Sequence, residues 1–335
     1  MAIKWGFIGA GRITRRFLEG LIQVDDAIPY AVYGRTLSKA EALAKDYGFE
    51  YAFGTVEELL ASGIDVAYVA TTHPSHAEFA KKVIDAGIPV LCEKPLSPNA
   101  KISEDLIDYA REKDVFLMEA MWTRTFPASH VLREWLSDEK IGKIIGVTGS
   151  FSFHAPLDFD DRLMSIDHAG GAILDIGVYL LAFVNDIIAG RPDEVKAVGA
   201  IATNGADTGA SVSLRYGDKL VSLFMTIQSD SPDTITIYGD KGRIDVHADF
   251  WRPRKITLTT ESEILEFETP ETSGDPTFQD SFLGEGYQHE VQHVQDCISK
   301  GLKESPLMPL DSTLIVAEIS DAIRKQIGVI YPFEK

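Results

Sequence analysis

Asp175 and Tyr179 stand four residues apart in an otherwise apolar run, Gly170-Gly171-Ala172-Ile173-Leu174-Asp175-Ile176-Gly177-Val178-Tyr179, which continues through Leu180, Leu181, Phe183 and Val184. The spacing of apolar residues predicts a helix that starts at the Gly-Gly break. A separation of four puts the carboxylate and the phenol on one face of that helix. A lone tyrosine there reads as an amphipathic core residue, but its pairing with an aspartate calls for a chemical reason. Proton transfer supplies one. A free phenol, with a pKa of about 10, is a poor base at neutral pH, and a nearby ammonium lowers that barrier by favouring the phenolate. Lys94, in the turn Cys92-Glu93-Lys94-Pro95, is the candidate ammonium, contributed by a different domain, with Asp175 holding it charged and in place. Either the phenol or the ammonium can be the proton carrier, and residue types alone leave both assignments open.

These residues sit in a chain of 335 residues, long enough for two domains with separate cores. With 45% hydrophobic and 25% charged residues, the composition is that of a soluble globular protein. A net charge of −19, from 32 basic and 51 acidic residues, argues against nucleic acid or an anionic membrane surface as a partner. No apolar run approaches membrane-spanning length. Cys92 and Cys297 are far apart, which fits two buried thiols in a reducing compartment. Thr14-Arg15-Arg16-Phe17-Leu18 resembles a twin-arginine export signal, yet Glu19, Asp25 and Asp26 follow it where an apolar region belongs. A cytoplasmic location is expected.

The first third of the chain alternates strand and helix: strand Ile3–Ile8, helix Arg12–Gln23, strand Ile28–Tyr33, a helix capped by Ser38 with Glu41 and ended by Gly48, strand Val66–Ala70, helix Ser75–Ala86, strand Val90–Glu93, helix Ile102–Lys113 and strand Val115–Met118. That alternation predicts a doubly wound parallel α/β sheet. After about Glu119 a helix (Ala128–Leu136), a strand (Lys143–Phe153) and the helix Gly170–Ile188 lead into consecutive strands from Glu194 to about Phe267, then helices Gln288–Ser299 and Leu310–Ile327. Strands in succession predict a large, mostly antiparallel sheet in an α+β domain. The expected domains are therefore 1–122 and 123–335. In Leu220–Gln228 one side is apolar and the other mixed, a face suited to pairing with a second copy of the chain.

Gly9-Ala10-Gly11, between the first strand and the first helix, is the dinucleotide fingerprint in its proper context. The glycines permit a tight turn and let amides at the helix N-terminus, those of Arg12 and Ile13 among them, approach a pyrophosphate. The third fingerprint position is Thr14 instead of Gly or Ala, which should set the helix slightly farther from the strand. An NAD site usually places an acid about twenty residues on, to bond the ribose 2′-hydroxyl. This chain instead has Arg35, Thr36, Ser38 and Lys39 there, a small cationic pocket that favours a 2′-phosphate and hence NADP(H).

Ligands of such sheets bind beyond the carboxyl ends of the strands. Three segments arrive there: one with Thr71, His73 and His76, one with Glu93 and Lys94, and one with Trp122 and Arg124. The chain resembles the glucose–fructose oxidoreductase/inositol dehydrogenase (Gfo/Idh/MocA) family, through Gly9-Ala10-Gly11-Arg12-Ile13, Glu93-Lys94-Pro95 and the Asp175…Tyr179 helix. Leu117–Arg124, Gly170–Gly177 and Gly301–Pro306 are similar to its dimeric dihydrodiol dehydrogenase branch, also described as NADP-linked D-xylose dehydrogenases. The resemblance covers nearly the whole chain. It implies a Rossmann domain and a sheet domain that pairs in a homodimer. It also implies catalytic roles for Lys94 and Tyr179 supported by Asp175, substrate contacts from Trp122 and Phe151 alongside Asp175 and Tyr179, and cofactor contacts from the three rim segments and from Arg35 and Lys39. Tyr179 stands where inositol-type members carry a histidine, and the loop Phe153–Ile166 matches least.

Two other readings are weighed. His289-Glu290-Val291-Gln292-His293 is a literal HExxH, the zinc-peptidase pattern, but no metzincin extension follows it and five-residue patterns recur by chance, so no metal is expected. An NADP-binding sensor without enzymatic activity would have no need of Lys94, Asp175 and Tyr179 together.

Overall fold

A computed structural model of the chain describes residues 2–269 and 283–334. The described residues divide into two compact units. The first comprises 2–97, 101–122 and 283–310; the second comprises 98–100, 123–269 and 311–334.

In the first unit the strand–helix alternation folds as a six-stranded parallel sheet in the order β3-β2-β1-β4-β5-β6. The strands are β1 (Ile3–Ile8), β2 (Ala27–Tyr33), β3 (Tyr51–Phe53), β4 (Val66–Val69), β5 (Val90–Glu93) and β6 (Leu117–Ala120). Helices α1 (Arg12–Leu21), α2 (Leu37–Tyr47), α3 (Val56–Leu60), α4 (His76–Asp85) and α5 (Ala100–Glu112) connect them. β4 and β5 are buried along their whole length, as near-continuous apolar strands of a covered parallel sheet should be. The short β3 and α3 have no counterpart in the sequence reading, since three residues are too few to show a period. The expected Ser38/Glu41 capping box does not form: α2 starts two residues earlier, with Thr36 at the cap position and no side-chain cap bond.

One helix arrives from far down the chain. α8 (Tyr287–Ser299) packs on α1, where Gly20 allows the approach: a Cβ there would stand 2.5 Å from Tyr287 Cβ and 2.7 Å from Gln288 N. Tyr287 also stacks on Trp122, with centroids 4.0 Å apart, and lies 5.8 Å from the ring of Phe17, itself stacked on Tyr68. Residues 283–310 therefore pack with the first unit, whereas a single boundary after residue 122 assigns them to the second.

The second unit opens with α6 (Pro127–Ser137) and is built on β7 (Ile144–Ser152), β8 (Glu194–Ile201), β9 (Asp207–Tyr216), β10 (Lys219–Thr226), β11 (Ile235–Gly239), β12 (Gly242–Val246), β13 (Lys255–Thr260) and β14 (Ile264–Glu268). These form one eight-stranded sheet in the order β14-β13-β12-β11-β7-β10-β9-β8. All its pairings are antiparallel except β7 with β10 (Lys219–Thr226). On β9 (Asp207–Tyr216), Val212, Leu214 and Tyr216 are buried while Ser211, Ser213 and Arg215 are exposed, the period-two alternation of a sheet covered on one face. The covering helix α7 (Val178–Ile187) is preceded by a π-helical turn, Ile173–Gly177, where the sequence predicts plain α-helix. The helical stretch Ile166–Ile187 is, by length and composition, apolar enough to cross a membrane, which corrects the sequence expectation. Since 78% of its apolar window is buried inside the protein, it is the core helix of this unit.

Candidate functional site

At the carboxyl end of the first unit's sheet, Gly9 adopts φ +118°, and a Cβ there would lie 2.4 Å from the Ala70 carbonyl oxygen. Only glycine makes this turn. Gly11 caps α1 with no side-chain hydrogen bond, no acid occupies the helix's first turn, and a Cβ on Gly11 would meet nothing within 4 Å. Arg12 is exposed and Ile13 half-buried in that turn. Open space over an uncapped helix N-terminus fits a pyrophosphate. Thr14 at the third fingerprint position is buried, and its hydroxyl donates to the Gly9 carbonyl at 2.8 Å, tying α1 to the glycine turn.

At the end of β2, Arg35, Thr36, Ser38 and Lys39 are all exposed. Neither Arg35 nor Lys39 has an ion-pair partner among the described residues, and α2 carries no acid in its first turn. Two uncompensated cations at the positive end of a helix are unfavourable unless an anion joins them. The residues present thus fit a dinucleotide that carries an extra phosphate at this edge.

The β5–α5 turn holds Lys94. From Val90 to Pro98 every residue is buried except Lys94, which is half-exposed. The Lys94–Pro95 peptide is cis. Side chains named above as cofactor contacts brace this turn instead. His76 is buried, with Nδ1 2.9 Å from the Pro95 carbonyl oxygen and Nε2 3.2 Å from that of Thr71. Glu93 is also buried, accepting hydrogen bonds from the Tyr68 hydroxyl and, at 3.2 Å, from the Lys94 amide. Glu119, which the sequence reading passed over, accepts the Leu96 amide at 2.9 Å. Thr71 is half-exposed after β4, and His73 is buried in the short 3₁₀ turn His73–Ser75. Trp122 is 4% exposed, its indole face taken by Tyr287.

In the second unit the helix run behaves in the same way. From Ala169 to Asn185 every residue is buried except Asp175 and Tyr179, both half-exposed. Asp207 on β9 fixes the start of this run, its Oδ2 accepting the Ile173 amide at 2.7 Å. Gly171, at φ +130°, makes room for it: a Cβ there would stand 2.1 Å from Asp207 Oδ1. The Asp175 carboxylate accepts a hydrogen bond from the Arg162 guanidinium at 3.1 Å, a pairing that sequence reasoning missed. The signal for it was a lone basic residue directly after the acidic stretch Asp158–Asp161. Phe151 lies edge-on to Tyr179, 5.7 Å between centroids, and stacks face to face on Trp251 at 4.1 Å.

Arg124 departs from expectation. It belongs to the second unit, is buried, donates to the Ala182 carbonyl at 2.8 Å and lies within hydrogen-bonding reach of Asn185 and Ser312, so it ties helices of that unit together. The HExxH residues do not form a metal centre either. His293 lies 2.7 Å from the Ser305 hydroxyl, Glu290 is buried, and among the described residues no group of three or more His, Cys, Asp or Glu is placed to hold a metal.

Comparison with known proteins matches both units. Residues 3–121 match the model of the Gfo/Idh/MocA oxidoreductase family, NAD-binding Rossmann fold, and residues 130–245 that of the Gfo/Idh/MocA C-terminal domain. The chain is 37% identical to the trans-1,2-dihydrobenzene-1,2-diol dehydrogenase of Xenopus tropicalis, over 99% of this chain and 100% of that protein. It is 34% identical to the Homo sapiens protein of the same name, over the full length of both. Among solved structures, a levoglucosan dehydrogenase in complex with NADH and levoglucosan has the same fold, with a TM-score of 0.86, 20% identity and 98% coverage of both chains. A 3-ketoreductase from Actinomadura kijaniata in complex with NADP and TDP-benzene has a TM-score of 0.80, 23% identity and 98% coverage of both chains.

The Asp207 cap has a measurable consequence. Burial pushes its carboxyl from 3.8 up to about 6, against the pull of the helix amides. A carboxyl with a raised folded-state pKa contributes stability that is full below the unfolded value and lost as pH rises through the folded one. Wild-type protein should therefore lose stability on the order of 3 kcal/mol between about pH 4 and pH 7 through this group. Asp207→Asn should remove that part of the pH dependence. Urea unfolding of both proteins across the range checks it, and parallel curves would contradict it.

Proposed function

The chain belongs to the Gfo/Idh/MocA oxidoreductase family, and from that membership we propose that it is an NADP(H)-dependent dehydrogenase acting on CH–OH groups. It moves a hydride between nicotinamide C4 and the carbinol or carbonyl carbon of a sugar or a vicinal (dihydro)diol. The observation that carries this reading is selective exposure. In two runs that are otherwise wholly buried, the side chains left half-exposed are an ammonium, a carboxylate and a phenol.

The bound nicotinamide supplies the hydride acceptor or donor; the rest falls to the chain's own side chains. Oxidation of a carbinol requires the hydroxyl proton to leave as the carbonyl forms, and Tyr179 with Lys94 is the acid–base pair for that proton. In the reductive direction the same pair returns it. Asp175, held by Arg162, orients the helix face that carries Tyr179. Phe151, packed between Tyr179 and Trp251, gives the substrate an apolar wall. Relatives named as dihydrodiol dehydrogenases and a structural neighbour that binds levoglucosan support a polyhydroxylated or diol substrate.

NADP(H) over NAD(H) rests on Arg35 and Lys39, two exposed cations at a helix N-terminus in a chain of net charge −19. Arg35→Ala should weaken NADP(H) binding by roughly ten- to a hundredfold, the loss of one charge-assisted contact, and leave NAD(H) nearly unchanged. Equal losses for the two cofactors, read by titration of nucleotide fluorescence, would contradict the 2′-phosphate assignment.

Turnover is tested by NADP(H) absorbance across aldopyranoses, vicinal diols and dicarbonyls. Lys94→Ala and Tyr179→Phe should each lower kcat by about two orders of magnitude or more while NADP(H) affinity stays near wild type. Tight NADP(H) binding with no turnover on any of these compounds would favour the sensor reading.

The outer face of the large sheet is proposed as a homodimer interface. Val198 is 78% exposed and Leu220 63%, with Phe224 beside them on an otherwise Ser- and Thr-rich surface. Wild-type protein should sediment as a dimer at micromolar concentration and Leu220→Glu as a monomer; a monomeric wild type ends the reading.

A further inference from the structure

Glu290 is the buried titratable group that the proposed chemistry leaves unused. It lies on α8, fully buried, and neither carboxyl oxygen has a hydrogen-bond partner among the described residues. The charges that act on it are the carboxyls of Glu93 on β5 and Glu119 on β6; burial first, then these two neighbours, push its pKa well above the ordinary range. A carboxyl without solvent and beside two like groups keeps its proton. The other titratable groups facing this cluster are Tyr68 on β4, the Cys92 thiol on β5 and Tyr287 on α8 itself. α1, packed on α8, turns Phe17 and Gly20 inward and leaves Arg16 and Glu19 exposed. His293, one turn along α8, faces Ser305 and Cys297.

Glu93 and Glu119 matter for what they hold. Glu93 Oε2 accepts the Lys94 amide and Glu119 Oε1 accepts the Leu96 amide, so the two carboxyls grip the backbone on either side of Pro95. A negative charge on Glu290 in the same dry space would set the three carboxyls against one another and loosen one grip. We propose that Glu290 is a positioning residue for Lys94: a neutral carboxylic acid wedged beside Glu93 and Glu119, which lets those two carboxyls hold the β5–α5 turn in one place. The link to turnover rests on the catalytic reading of Lys94; the link to stability does not.

The sign of the pH effect follows from linkage. A carboxyl whose folded-state pKa is raised contributes stability at low pH that is lost as pH rises through the folded value. Glu290→Gln keeps the shape and neutrality without the titration; Glu290→Met keeps the volume but offers no polar group. Three readouts on the full chain are the thermal midpoint against pH, kcat and KM against pH, and NADP(H) affinity. Glu290→Gln should keep kcat within about twofold of wild type at neutral pH and flatten the alkaline decline in both kcat and thermal midpoint. Glu290→Met should lower kcat by about tenfold with NADP(H) affinity unchanged, because a mispositioned Lys94 costs turnover more than binding. A Glu290→Gln variant with the wild-type pH dependence of the thermal midpoint would overturn the proposal, as would one that loses kcat as far as Glu290→Met. Should no substrate give turnover, a flattened thermal profile in Glu290→Gln would keep the neutral wedge and remove Lys94's catalytic role instead.

Discussion

A buried loop must have its backbone polar atoms satisfied, or it will not stay buried. That constraint governs the β5–α5 turn, and most of what is distinctive about the first unit answers it. Glu93 and Glu119 take the amides of Lys94 and Leu96, and His76 reaches the Pro95 carbonyl from α4. With every neighbour anchored from beneath, Lys94 remains the half-exposed member of the run. A long flexible side chain on a fixed backbone gives up less freedom when it is ordered than one on a mobile loop would.

The second unit meets the same demand by another route. There the half-exposed polar residues, Asp175 and Tyr179, ride on a helix whose start is held. Asp207 comes from a strand to do it, and Gly171 before the helix gives its carboxylate room. The π-turn comes next in the chain, packed against β7, β9 and β10 and held at Ile173. Such wide turns often occur where a helix carries functional groups. Here one falls across Asp175.

Much of this was legible in the residues alone. The strand–helix alternation, the glycine turn, the basic pair after β2 and the Asp175–Tyr179 spacing are local patterns, and local patterns survive in a linear sequence. What stayed hidden depends on residues far apart. Arg162 is thirteen positions from Asp175, Asp207 is thirty-four from Ile173, and Glu290 lies about two hundred beyond Glu93. Arg124 misled for the same reason: a basic residue following a strand end looks like a ligand contact until the helices that claim it are in place. HExxH, set aside on its sequence context alone, gave no hint that its glutamate faces the interior.

The return of α8 to the first unit carries a consequence for biogenesis. Phe17, Tyr68 and Trp122 belong to the opening segments of the chain, but the tyrosine that covers them is residue 287. A ribosome that has finished the nucleotide-binding strands has therefore made a sheet whose aromatic flank still lies open to water. That flank stays open while some 160 further residues are synthesised, a delay on the order of ten seconds or more. A fragment cut at residue 122 would show the same bare surface for good, and chaperone capture of the nascent chain would be directed to it.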